Sequence, residues 1–237
     1  MTFARENEMT QPVRKWLQHQ QLLIKAEFEL PWGVCDLVGL SFNELQITKR
    51  LSFRQHRPIG PLHRVDLLSY IPDQESGAAI TFARLQKSAA TLSFGQDLER
   101  DLRALIADRF VIVKKNGSFQ KVNGWAPLHQ RIVAVELKLR RISEALSQGL
   151  SNRTFATESY VALPAEIAGR LVSSNRLFEF SENGIGILGV TRTTCRVVLR
   201  ASQIVEPDSV LQTHCVERFW RTRDNSTSIA APRARAF

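Results

Sequence analysis

Cysteine is scarce in this chain of 237 residues: Cys35, Cys195 and Cys215 are all there are, and no C-x-x-C pair occurs. That excludes a disulfide scaffold and leaves no zinc or thiol-redox motif, so a reducing compartment is expected. Long apolar runs are also missing. No stretch approaches the roughly 18 residues of a membrane span. The first 30 residues carry Glu6, Glu8, Arg14 and Lys15 without an apolar segment, so no signal peptide is expected either. A cytoplasmic protein without membrane contact is the expectation. There is no internal repeat, and a composition of 43% hydrophobic and 23% charged residues excludes collagenous and wholly disordered chains.

What is present in excess is positive charge, 32 Lys plus Arg against 23 Asp plus Glu, a net +9. It divides as +2, +2, +3 and +2 over residues 1–60, 61–136, 137–199 and 200–237. With no polybasic block, an electrostatic membrane anchor is disfavoured, and any polyanion-binding face has to be assembled by folding.

Met9, Val13, Trp16 and Leu17 recur at helical spacing, which predicts an amphipathic helix over about 5–19, with Pro12 oddly placed for a helix interior. Ala26, Phe28 and Leu30 alternate with glutamates, and Pro31-Trp32-Gly33 turns the chain into a second apolar strand over 34–39. Residues 42–47 are expected to add a third strand. Residues 51–61 hold turn formers and read as a connector. Short helices are then expected near 65–70, 80–90 and 98–106, with a Ser93-to-Gln96 capping box before the last. Lys114-Lys115-Asn116-Gly117 signals a hairpin between 110–113 and 118–122. Three short helices and a hairpin resemble a winged helix-turn-helix.

Beyond that unit, 132–139 reads as a strand apolar on both faces except at Glu136 and Lys138, which project from one side. A helix over 142–156 and strands over 159–164, 184–190 and 195–199 complete an α/β pattern. Gly184-Ile185-Gly186 lies within an apolar strand and is no phosphate loop. His56 and His63 read as loop residues and the four tryptophans as packing residues, with Trp32 in a turn also open to DNA contact. A last helix is expected from Asp208, and disorder beyond Arg223.

Ionised groups in apolar strands cost several kcal/mol unless paired or metal-bound. Asp36, Glu136 and Lys138 all interrupt such strands. A mutual ion pair is one answer. If the strands are neighbours, the other is two carboxylates holding Mg²⁺ beside an ammonium, a set suited to metal-assisted phosphodiester hydrolysis.

The opening helix and hairpin with G-V-C-D-L-V, the strand V-A-V-E-L-K, the helix A-L-S-Q-G-L and the strand S-Y-V-A-L-P together resemble the PD-(D/E)XK nuclease superfamily over roughly residues 5–45 and 130–200. The resemblance implies a restriction-endonuclease-like fold, a mixed α/β sheet core flanked by helices. It implies that Asp36, Glu136 and the Leu137 carbonyl hold Mg²⁺ or Mn²⁺, that Lys138 positions the attacking water, and that Glu6 (better than Glu8) and Gln148 face the site. Cys35 stands where the family has a proline. The implied organisation is a discontinuous core, 1–58 and 126–222, an inserted winged-helix-like unit, 59–125, and a disordered tail, 223–237. DNA is the expected partner, through Lys114, Lys115 and Lys121 of the hairpin and Arg140, Arg141 and Arg153 near the site, with a homodimer or a partner protein also open. A protein-binding role for the insertion, and a non-catalytic DNA-binding protein on a degenerate nuclease fold, are the competing readings.

Overall fold

The computed structural model describes residues 3–91, 98–125, 127–203 and 207–226. In chain order, a 3-10 turn at Glu6–Met9 leads into α1 (Thr10–His19), then β1 (Leu23–Leu30), β2 (Gly33–Phe42) and α2 (Glu44–Ser52). Next come α3 (Leu62–Tyr70), α4 (Phe82–Thr91), α5 (Leu98–Ala107), β3 (Val111–Val113) and β4 (Phe119–Lys121). The chain continues through β5 (His129–Leu137), α6 (Ile142–Asn152), β6 (Glu158–Pro164), α7 (Ala165–Val172) and α8 (Arg176–Glu182), and closes with β7 (Gly186–Val190), β8 (Cys195–Leu199) and α9 (Ser209–Ser226). No helix among the described residues is long and apolar enough to cross a membrane. The Ser93–Gln96 capping box lies outside the described residues.

The chain divides into two compact units, Met1–Ser41 with His129–Gln212 and Phe42–Leu128 with Thr213–Phe237. In the first, six strands form one mixed sheet in the order β1-β2-β5-β6-β7-β8. The β5-β6-β7 centre is parallel, while β1 pairs with β2, and β7 with β8, antiparallel. Alternation along the strands feeds two cores. Val133, Val135, Leu137, Tyr160 and Ala162 pack with Met9, Val13 and Leu17 on one face. Val161, Leu163 and Ile187 pack with Ala145, Ala168 and Phe180 on the other. Glu136, between Val135 and Leu137, is thereby turned toward the face that α6 covers. Pro12 is the third residue of α1, where the backbone N–H has no intrahelical acceptor to lose, so the helix keeps it without a kink.

The second unit holds α2 to α5, the two-stranded sheet of β3 and β4, and most of α9. The three helices expected over 65–106 and the hairpin after them are present. Lys114 N–H bonds the Ser118 carbonyl at 2.8 Å and Gly117 takes φ +77° in the connecting turn. Two expectations fail here. Residues 42–47 are not a strand: Asn43 Oδ1 accepts from the backbone N–H groups of Leu45 and Gln46 at 3.1 and 3.3 Å, capping α2. And the second unit does not start near residue 59, because α2 belongs to it. Arg50 of α2 is fully buried, its guanidinium bonded to Glu217 of α9 at 2.5 Å and lying 3.8 Å from the Trp220 ring centroid. Residues 223–226, expected in a disordered tail, continue α9; 227–237 lie outside the described residues.

Candidate active site

Asp36 sits on β2 and Glu136 near the end of the neighbouring β5. Asp36 Oδ2 accepts from the Leu137 backbone N–H at 2.7 Å, and the Asp36 charge acts on the neighbouring Glu136 carboxyl. The Leu137 N–H points toward β2, and a strand residue's C=O points to the same side as its N–H. Its carbonyl therefore faces the Asp36 edge as well. Lys138 follows β5, its own N–H bonding the Ala162 carbonyl on the opposite side at 3.0 Å.

Glu136 is only 4% exposed. Burial, helped by the neighbouring Asp36 charge, pushes its carboxyl pKa up to about 7 against hydrogen bonds from Asn152 and Cys35. Asp36 is raised too, by burial first and by the Glu6 charge, opposed by the Leu137 N–H and Lys138. The pair therefore holds a proton well above the usual carboxylate range. Burial pulls the Lys138 pKa down, but a 2.8 Å hydrogen bond to Glu144 and the charges of Glu6, Glu144 and Asp36 more than offset it. Lys138 is thus an ammonium at neutral pH and acts as a donor, not a base.

Glu6, in the 3-10 turn before α1, accepts from the Leu139 N–H at 3.1 Å. Glu8 turns away to the Ala4 N–H and Arg192, so Glu6 is the first-helix acid at the site. Gln148 is half-buried on α6, and its Oε1 has no hydrogen-bond partner among the described residues. It lies one helical turn from Glu144 on one side and Asn152 on the other, so all three share a helix face. Asn152 Nδ2 bonds Glu136 Oε1 at 2.7 Å.

The structure thus brings Glu6, Asp36, Glu136, Leu137 and Lys138 together. It adds Asn152 and Glu144, which sequence reasoning missed: a polar residue every four positions along a helix looks like an ordinary solvated face. Cys35, in the family's proline position, is a buried thiol near the Leu37 and Val135 carbonyls at 3.4 and 3.7 Å, its pKa raised chiefly by burial. Directly opposite Asp36 in the β1–β2 register, Glu27 takes φ +48°, and no ladder pair forms there. A non-glycine residue in the left-handed region costs on the order of 1 kcal/mol. That local kink in β1 was not visible in sequence.

The residues fit a magnesium-sized ion. Among the described residues no group of three His, Cys, Asp or Glu side chains is placed to hold a metal. Mg²⁺ does not require one, because it keeps several waters and takes one or two carboxylates plus substrate oxygens. Two neighbouring carboxyls and a carbonyl supply hard oxygen donors whose mutual repulsion a cation relieves.

A cleft of about 900 Å³ opens beside the site, lined by Glu6, Lys138, Arg140, Arg141, Glu166 and Arg170 among others. Of the basic residues expected at DNA, Arg140 and Arg141 line it, the latter paired with Glu144 at 3.1 Å. Arg153 does not; its guanidinium binds the Gly184 and Ser202 carbonyls at 2.9 and 3.4 Å. In the second unit Lys114 and Lys115 are exposed on the hairpin. Lys121 is 12% exposed and pairs with Asp73 at 3.4 Å, so it serves packing. His63 lies on α3, not in a loop, with Nε2 2.9 Å from Asp101. Trp16, Trp125 and Trp220 stack in T-shaped contacts with Tyr160, Phe110 and Phe42, while Trp32 is 44% exposed.

Compared with known proteins, the chain matches no family model, no curated protein and no solved structure.

Proposed function

We propose that this protein is a Mg²⁺-dependent DNA endonuclease of the PD-(D/E)XK type, built on a restriction-endonuclease-like core. In this reading the helices and hairpin of the second unit form an inserted winged-helix-like module. The observation that carries the reading is the placing of Asp36, within β2, against Glu136 and Leu137 at the end of the adjacent β5, with the Lys138 ammonium beside them on the lip of a basic cleft.

Asp36, Glu136 and the Leu137 carbonyl would hold the ion, which when bound supplies Lewis-acid polarisation of the phosphoryl group and a more acidic water. The chain's own groups do the rest. Asn152 keeps Glu136 aimed at Asp36 and favours its ionised form. Lys138 donates to the attacking water and to the negative charge that builds on the phosphoryl oxygens, where a fixed cation lowers the barrier. Glu144 and Glu6 hold that ammonium charged and in place.

Incubating the purified protein with supercoiled, linear and branched DNA and Mg²⁺ or Mn²⁺ tests the reading. Cleavage that chelation and Glu136→Ala both abolish is expected; no cleavage of any substrate, or cleavage unchanged in Glu136→Ala, rejects it. The exposed Lys114 and Lys115 carry a second reading, a non-catalytic DNA-binding protein. It requires a mobility shift that persists in Asp36→Ala and weakens when both lysines are replaced, with no cleavage.

A further inference from the structure

Four arginines of the first unit are committed to a partner: Arg131 to Glu158, Arg141 to Glu144, Arg153 to two carbonyls, and Arg192 to Glu8 at 4.0 Å. Arg140 and Arg170 are different. Both are exposed, and neither guanidinium has a hydrogen bond or ion pair among the described residues. They come from separate elements, Arg140 from the segment after β5 and Arg170 from the second turn of α7, yet line the same cleft. An unpaired guanidinium is a rigid fork of donors matched to phosphate oxygens.

The position of the cleft points the same way. A second hollow of about 310 Å³ shares Phe3, Pro164 and Glu166 with it and runs on to Thr191, Arg192 and Thr193. The walls are thus the segments leaving the C-terminal ends of β5, β6 and β7, the edge of an open parallel sheet where ligands bind. Its one aromatic lining residue, Phe3, is 8% exposed, so the trough offers no face on which bases stack and suits a sugar-phosphate backbone.

We propose that Arg140 and Arg170 grip backbone phosphates of the bound DNA, leading the strand along this trough to Lys138. This deepens the nuclease reading and rests on it for which bond the strand presents. Lys138 and Arg141 are satisfied by Glu144, and Glu6 and Glu166 give the trough two carboxylates, so Arg140 and Arg170 are its uncommitted cations.

The test measures binding of the full chain to a short blunt DNA duplex in EDTA, over a range of salt, for the wild type, Arg140→Ala, Arg170→Ala and the double variant. Each phosphate contact contributes about 0.9 to the slope of log K against log salt, so each single variant is expected to lose about 0.9 and the double about twice that. Affinity at low salt should fall about tenfold or more in the double variant and recover in Arg170→Lys. Neither side chain has a partner among the described residues, so Tm stays at the wild-type value and separates lost binding from lost folding. Slope and affinity unchanged in the double variant overturn the proposal. If the slope falls as expected but no DNA is cut with Mg²⁺ or Mn²⁺, the phosphate trough stands and the nuclease reading falls. If cleavage depends on Glu136 but the double variant keeps its slope and its KM, the trough falls and the nuclease reading stands.

Discussion

Asn152, the last residue of α6, donates its side-chain amide to Glu136 Oε1 at 2.7 Å, favouring the ionised form of a carboxyl that burial holds near pKa 7. Removing the amide in Asn152→Ala raises that pKa further. A hydrogen bond to a charged group is worth roughly 1.5–3 kcal/mol, or about 1–2 pH units. Under the nuclease reading, where Glu136 works ionised, the acid limb of kcat/KM moves up by that amount. Raising Mg²⁺, which competes with the proton, moves it back down. pH–rate profiles of the two proteins at two metal concentrations check this.

The same carboxyl makes a stability prediction with the opposite consequence for fold and activity. Its folded pKa of about 7 exceeds the ordinary value of 4.5, so the folded protein keeps a proton that the unfolded chain releases. That contribution is complete below pH ~4.5 and is lost as pH rises to about 7, a change on the order of 3 kcal/mol. Glu136→Gln cannot ionise and keeps the Asn152 contact. It should equal the wild type in urea unfolding at pH 4, exceed it at pH 8 and, under the nuclease reading, cut no DNA. A Gln variant no more stable at pH 8 contradicts the burial argument.

Lys138 is anchored by Glu144, itself 40% exposed. Under the nuclease reading, Glu144→Ala is expected to lower kcat about tenfold by loosening the ammonium, with KM and Tm little changed. Lys138→Ala removes the donor itself and should cost roughly 10²–10³ in kcat. Steady-state kinetics with a thermal melt separate the two; a Glu144→Ala enzyme with wild-type kcat removes its positioning role.

In the second unit, Arg50 carries a fully buried charge against Glu217 and packs under the Phe110, Trp125 and Trp220 rings, 3.8–5.2 Å from their centroids. Breaking a buried pair from one side costs roughly 3–5 kcal/mol, because the survivor is left charged and unpaired. Arg50→Met and Glu217→Leu should each show that loss in denaturant unfolding, and the double variant should recover most of it. Additive losses would mean that the rings, not the ion pair, hold the site.

Asp36, Glu136 and Lys138 were legible because each interrupts an apolar strand, and Glu6 because it shares a face with Met9. The sheet was legible because five of its strands are near-continuous apolar runs. Asn152 and Glu144 were hidden, since helix geometry brings them to the site and nothing in their spacing differs from a wet helix face. Residues 42–47 misled for a related reason: three apolar residues, Phe42, Leu45 and Ile47, spaced among polar ones in so short a segment are ambiguous between strand and helix, and the Asn43 cap decides it. The second unit was expected to begin after the connector at 51–61, whereas α2 belongs to it through contacts such as that of Arg50 with Glu217, far apart in the chain.

Gly149 lies on α6 where a Cβ would stand 3.1 Å from Ile185, and its carbonyl accepts from Ser159 Oγ at 2.8 Å. The helix is therefore bolted to the sheet at one point between the two side chains that it sends to the site, Glu144 and Asn152. A residue that touches no reactant becomes the fulcrum of both, so a methyl group added at position 149 should disturb the proton-holding pair and the ammonium together. Substitutions at 144, 149 and 152 would then interact in their effects instead of adding, and a neutral drift at any one of them would change what the chain tolerates at the other two.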